Sequence, residues 1–134
     1  MNLRGVLMIM KMVNNTRKTE IARTVEVARS SWKKGLGLMF RSCIKENHGL
    51  LMEFSKESRD MYSIWMLGMR FPIDVVFINS ERVVTDVYEN VSPVSLDLKT
   101  WKVYKPTKPI KWILELKSGR CKRTKTVPGD KLLF

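Results

Sequence analysis

Ile73-Asp74-Val75-Val76-Phe77-Ile78 follows Pro72 and runs into Asn79-Ser80-Glu81-Arg82. At a two-residue period Ile73, Val75 and Phe77 fall on one face, and Asp74, Val76 and Ile78 on the other. Both faces are mainly apolar, so the stretch reads as a central strand covered on two sides. The polar residues after it suit a tight turn, and Val83 to Val91 then returns antiparallel to complete a hairpin.

Upstream, Tyr62-Ser63-Ile64-Trp65-Met66 has strand character until Gly68 breaks it, and Leu50 to Phe54 reads as a strand after the turn signal Asn47-His48-Gly49. The polar stretch Ser55 to Asp60 reads as a loop. From Thr19 to Val27, Ile21, Val25 and Val27 alternate with Glu20, Thr24 and Glu26, and Arg23 interrupts the apolar face. Ser30 or Ser31 can cap a short helix through Trp32, Lys33 and Lys34, which Gly35 and Gly37 then stop. Downstream, Trp101 to Tyr104 and Lys111 to Leu116 alternate, placing Trp101 with Val103 and Trp112 with Leu114 and Leu116 on inward faces. Pro128-Gly129-Asp130 makes a turn before a closing strand, Lys131 to Phe134. The expected fold is mainly β, an antiparallel curled sheet or partly closed barrel of about seven short strands with one or two short helices. Residues 1–15, rich in methionine, are expected to be a flexible leader, and residues 16–134 a single domain.

The chain has 134 residues, 44% of them apolar, which is enough for one core. Its two cysteines, Cys43 and Cys121, are too sparse for a disulfide framework, which points to a reducing compartment and a cytoplasmic protein. Val6 to Met10 is closed by Lys11 and is shorter than a signal core or a membrane span, so no membrane association is expected. The formal charge of +12 is unevenly spread: residues 1–34 carry net +6, residues 35–98 net −3 and residues 99–134 net +9. Basic ends can close onto an acidic middle, or can face an anionic partner such as nucleic acid.

Several segments together resemble the family known as domain of unknown function 192. They are Gly37-Leu38-Met39-Phe40-Arg41, Gly49-Leu50-Leu51-Met52-Glu53-Phe54, Ile64-Trp65-Met66, Pro72-Ile73-Asp74-Val75-Val76-Phe77-Ile78, Val83-Val84 and Pro128-Gly129-Asp130. Order and spacing match over roughly Thr19 to Phe134. The resemblance implies a compact, mainly β domain of archaea and bacteria with no established activity. Many bacterial relatives carry Lys-Asn-Thr after the tryptophan-methionine pair, where this chain has Leu67-Gly68-Met69.

Asp74 is the most pointed residue, because a carboxylate on an apolar strand face needs a partner to stay ionised. Arg41 and Arg70 are the candidate partners, with the capping of backbone N–H groups as the alternative. The leading functional expectation is a non-catalytic binding module in which Arg41, Trp65, Asp74 and Glu89 line a cleft for a small polar or sugar-like ligand. The alternative is binding of nucleic acid or another anionic polymer through Lys99, Lys102, Tyr104, Lys105, Lys122, Arg123 and Lys125, by backbone electrostatics. A hydrolase built on acidic residues comes third, since sequence places no two carboxylates at a defined separation. Pairing Cys43 with His48 as nucleophile and base is arithmetically possible, though neither sits in a nucleophile motif. Spacing for a metal site is lacking and no cofactor is implied. Met39, Met52, Met61, Met66 and Met69 cluster in the middle of the chain, where they fill a core or line an adaptable groove.

Overall fold

A computed structural model describes residues 2–3, 6–9, 11–30, 34–35, 37–39 and 41–134. The chain is mainly β. Its principal sheet has seven strands in the order β1 (Asn2–Leu3), β2 (Val6–Ile9), β5 (Thr24–Ala28), β6 (His48–Ser58), β11 (Ile110–Lys117), β8 (Ile73–Ile78) and β9 (Val84–Val91). A three-stranded sheet joins β12 (Leu132–Leu133), β3 (Met12–Asn14) and β4 (Thr19–Ala22), and β7 (Ile64–Trp65) pairs with β10 (Val103–Tyr104). A short helix, α1, spans Arg120–Thr124. Among the described residues no sheet closes into a barrel.

The central strand is the one expected. All six residues of β8 are buried, and its alternation divides the core in two. Val76 and Ile78 join Leu114, Leu116 and Trp112 in one cluster, which Met12, Ile21 and Leu132 of the three-stranded sheet cover. Val75 and Phe77 join Leu50, Met52 and Ile113 in the other, covered by Leu38, Ile64 and Met66. Full burial of each such side chain contributes about 1.5–3 kcal/mol, so the large sheet is held from both faces. The β8–β9 hairpin forms as expected: Asn79 Oδ1 accepts from the N–H groups of Glu81 and Val83, and Arg82 takes the left-handed conformation at φ 64°.

Several expectations change. Thr19–Val27 is not one strand: at Arg23 the chain leaves the small sheet and enters the large one, with the N–H groups of Arg23 and Thr24 both donating to the Asn47 carbonyl. The charged residue that interrupts the apolar face thus marks a change of sheet. β5 and β6 pair in parallel, while the other pairings among the described residues are antiparallel. β6 runs on through Ser58 as an exposed polar extension where a loop was expected, paired at its end with Ile110. Met12 and Asn14, assigned to a leader by the sequence reading, are fully buried in β3, and Asn14 Nδ2 donates to Thr126 and Asp130 near the other end of the chain. Trp101 is 54% exposed instead of inward, because it follows a 3-10 turn at Leu98–Thr100 and its Nε1 donates to the Ser95 carbonyl. Of the helix expected through Trp32, Lys33 and Lys34, the first two residues lie outside the described residues, and Lys34 is helical together with Gly35.

Candidate ligand cleft

Alternation along β11 puts Ile113 and Glu115 on the face opposite Leu114 and Leu116. Register across the sheet then sets one row of neighbours: Glu26, Leu50, Glu115, Val75 and Tyr88, one from each of β5, β6, β11, β8 and β9. A carboxyl group therefore stands in the middle of an apolar sheet face, only 4% exposed. The Leu38 N–H donates to it, while its Oε2 atom has no hydrogen-bond partner among the described residues. Burial pushes the Glu115 carboxyl up to about 7, against the opposing pull of the Leu38 N–H and the Arg41 charge.

The 37–39 turn closes over this group, and glycine is what lets it do so. Gly37 has φ 52°, and a Cβ there would lie 3.1 Å from Met52 Cε and 3.4 Å from Glu115 Oε1. Beside the turn opens a cavity of about 340 Å³ between residues 37–39 and β7. Its walls are Leu38, Met39, Met52, Met66 and Met69, with Glu115 and Trp65 also lining it. Trp65 is 48% exposed and its ring approaches that of Trp101 at 6.4 Å, so the indole forms part of both the cleft and the outer surface. Four of the five clustered methionines thus meet at one cavity, while Met61 lines a shallow side groove with Met52.

The four residues expected to form one ligand site do not come together. Trp65 lines the cleft. Arg41 lines an adjoining groove of about 220 Å³ with Glu26, Cys43 and His48, and Leu38 is common to both cavities. There Arg41 Nη2 lies 3.2 Å from both oxygens of Glu26. Asp74 is fully buried on the opposite face of the sheet, and neither Arg41 nor Arg70 pairs with it. Its oxygens accept from the backbone N–H groups of Asn90 and Cys121, each at 2.9 Å. The first of these bonds secures the bulge where Glu89 and Asn90 stand opposite one residue of β8, and the second ties down the start of α1. Asp74 is a backbone clamp. Burial, together with the neighbouring Asp74 charge, pushes the Cys121 thiol up and leaves it protonated.

Glu89 lines a third groove, of about 540 Å³, with Asn90, Asp97, Lys99, Lys102 and Tyr104. This groove also gathers three members of the basic set. Lys105 stands beside it, its carbonyl accepting from Tyr88 Oη at 2.7 Å. Lys122, Arg123 and Lys125 belong instead to α1 and its C-terminal cap, where Arg123 pairs with Glu46. Among the described residues no three His, Cys, Asp or Glu side chains converge as a metal site would need, and no helix is long and apolar enough to cross a membrane.

Glu115 is the residue that the sequence reading missed. Its signal was present, since the argument that singled out Asp74 applies equally to an acid inside Ile113-Leu114-Glu115-Leu116.

Known proteins are similar to this chain over nearly its whole length. The UPF0127 protein PF1050 of Pyrococcus furiosus is 36% identical over 121 residues, which is 90% of this chain and 95% of the relative. A Novosphingobium aromaticivorans protein of unknown function, solved by crystallography, superposes with a TM-score of 0.83 at 26% identity, covering 98% of this chain and 89% of that one. A Sinorhizobium meliloti protein proposed to be a transcription regulator superposes with a TM-score of 0.78 at 28% identity, covering 92% and 89% of the two chains. The DUF192 family model, described as "Uncharacterized ACR", matches residues 12–134, and on that match the chain belongs to this uncharacterised family.

Proposed function

We propose that the domain is a non-catalytic binding module whose cleft, between the 37–39 turn and β7, takes a small ligand with an apolar body and one strong hydrogen-bonding group. The observation that carries this reading is the Oε2 of buried Glu115, unpartnered among the described residues, at an apolar cavity. A buried polar atom without a partner costs about 1–3 kcal/mol, and a ligand that supplies the missing contact recovers it. A cleft with a single strong polar anchor suits a compact amphiphile better than a sugar, whose several hydroxyls would each need a partner. Of the residues first expected at the site, Trp65 remains as an aromatic wall, Arg41 as a neighbour that tunes the carboxyl, and Asp74 and Glu89 leave it. The free thiols of Cys43 and Cys121 favour a cytoplasmic setting as part of the same proposal.

A thermal-shift screen of small amphiphiles, run on the wild type and on Glu115→Ala, tests the reading. Ligands that raise the melting midpoint of the first and not of the second support it. Compounds that stabilise both equally would count against the cleft.

A second reading rests on the groove of Lys99, Lys102 and Tyr104, together with the proposed role of the Sinorhizobium protein: a weak, salt-sensitive grip on a polyanion. Glu89 and Asp97 in the same groove oppose it. Retention on immobilised oligonucleotides that disappears in Lys99→Glu/Lys102→Glu would favour this reading. The hydrolytic reading needs a second carboxylate at the cleft, and among the described residues that line it Glu115 alone is acidic.

A further inference from the structure

Resting on the cleft proposed above, the geometry points to an organic ammonium ion as the ligand class: its N–H donates to Glu115 Oε2 while its hydrocarbon lies against Leu38, Met39 and Met66, with Trp65 at its side. Three observations separate this class from a neutral alcohol or an acid.

The first is the charge inventory around Glu115. Among the described residues two cations stand near it, Lys34 lining the cleft itself, and both are engaged with other groups: Arg41 with Glu26, and Lys34 with the Glu53 carbonyl at 3.0 Å and over the Phe54 ring at 4.6 Å. On the sheet itself the nearest titratable groups in the same row are Glu26, two strands away at about 10 Å, and Tyr88, also two strands away. Among the described residues, then, no cation pairs with the Glu115 carboxylate, which leaves room for a neutralising partner from outside. A carboxylic acid would meet like charge there, and an alcohol would leave that charge unbalanced in an apolar cavity.

The second is the wall. An indole face attracts a cation, and thioethers are polarisable, so Trp65 with Met39, Met52, Met66 and Met69 accommodates a charged head better than leucine walls would. The third is the open acceptor: the Leu38 N–H donates to the Glu115 carboxyl, and its Oε2 has no partner among the described residues. Binding a cation there favours the ionised carboxylate, so below about pH 7 the ligand must displace a proton.

The experiment is a titration of the full chain with cyclohexylamine and phenethylamine against cyclohexanol and phenethyl alcohol, followed by proton–nitrogen NMR. Both amines stay protonated over pH 5.5 to 8.5, roughly as a lysine side chain does. Expected are shifts at the Leu38 amide and the Trp65 Nε1 signal, with each amine binding at least about tenfold more tightly than its alcohol. Amine Kd should rise about tenfold for each pH unit below 7 and level off above it. In Glu115→Gln, amine affinity should fall at least about tenfold while the alcohols change less than about threefold, the amide keeping shape and hydrogen bonding but not charge. Alcohols that match the amines at Leu38 and Trp65 would overturn the ammonium assignment and leave the cleft standing. Shifts confined to other surfaces, or none, would also overturn it, and the thermal-shift screen decides the cleft separately.

Discussion

Replacing Glu115 by glutamine removes a charge that the folded protein holds at a cost, and the size of that cost follows from the surroundings of the carboxyl. The unfolded chain ionises it at its ordinary value of 4.5, whereas in the fold burial pushes it up to about 7 against the Leu38 N–H and Arg41. Between those values the folded state holds a proton that the unfolded state has released, so stability falls as pH rises through this window. The relative stabilisation is fully present below 4.5 and is lost once pH has risen past about 7. An interval of 2.5 pH units at about 1.4 kcal/mol each amounts to about 3 kcal/mol, or about 10 °C in melting midpoint for a domain of this size. Glutamine has no such dependence. Burying its amide adds an offset that does not vary with pH, so the quantity to measure is the difference in slope. Urea denaturation of both chains at pH 5, 6, 7 and 8 should show the wild type losing about 3 kcal/mol relative to Glu115→Gln, mostly between pH 5 and 7. Parallel stability curves would refute the placement of Glu115 as a buried, proton-linked group.

Asp74→Ala removes the acceptor of the buried Cys121 N–H and of the part-buried Asn90 N–H, and should cost about 3–5 kcal/mol by denaturant unfolding, with Asp74→Asn recovering part of the loss because one acceptor oxygen remains. Gly37→Ala forces a side chain into the left-handed region against Met52 Cε, and should cost about 1–2 kcal/mol and perturb the Glu115 carboxyl resonance. Asp130 is held below the ordinary carboxylate range: burial pushes it up, but Asn14, the Val127 N–H and Arg17 outweigh burial. That stabilisation is present above the ordinary value of 3.8 and disappears as pH falls through the depressed one, so the stability gap between wild type and Asp130→Ala should shrink on acidification below pH 4. Trp101→Ala should leave the midpoint within about 1 °C of wild type, whereas Trp112→Ala, from a 7% exposed core position, should cost about 3–5 kcal/mol.

Elements whose hydrophobic period is unbroken were legible. β8, β9 and β11 fall where alternation puts them, and Trp112 packs with Leu114 and Leu116 as expected. Trp65 escaped the same rule because β7 is a two-residue strand, too short for a period to fix a face, and Trp101 because it lies outside the strands, directly after the 3-10 turn at Leu98–Thr100. The site was legible only in pieces. Trp65 and the clustered methionines were identified, but Arg41, Asp74 and Glu89 went to three other places, and Glu115 was passed over inside an apolar run that reads as pure core.

From the amino-acid order alone came the fold class, the central strand and the two-faced core, because a two-residue period is a local property that each segment carries with it. Only the tertiary structure decided that β5 pairs parallel to β6, that Asn14 meets Asp130, and that a turn at Gly37 comes down on a carboxyl in β11. Those meetings join residues far apart in the chain, and they depend on register and on which strands become neighbours. No local pattern encodes either, so the candidate site became visible only once the strands were paired.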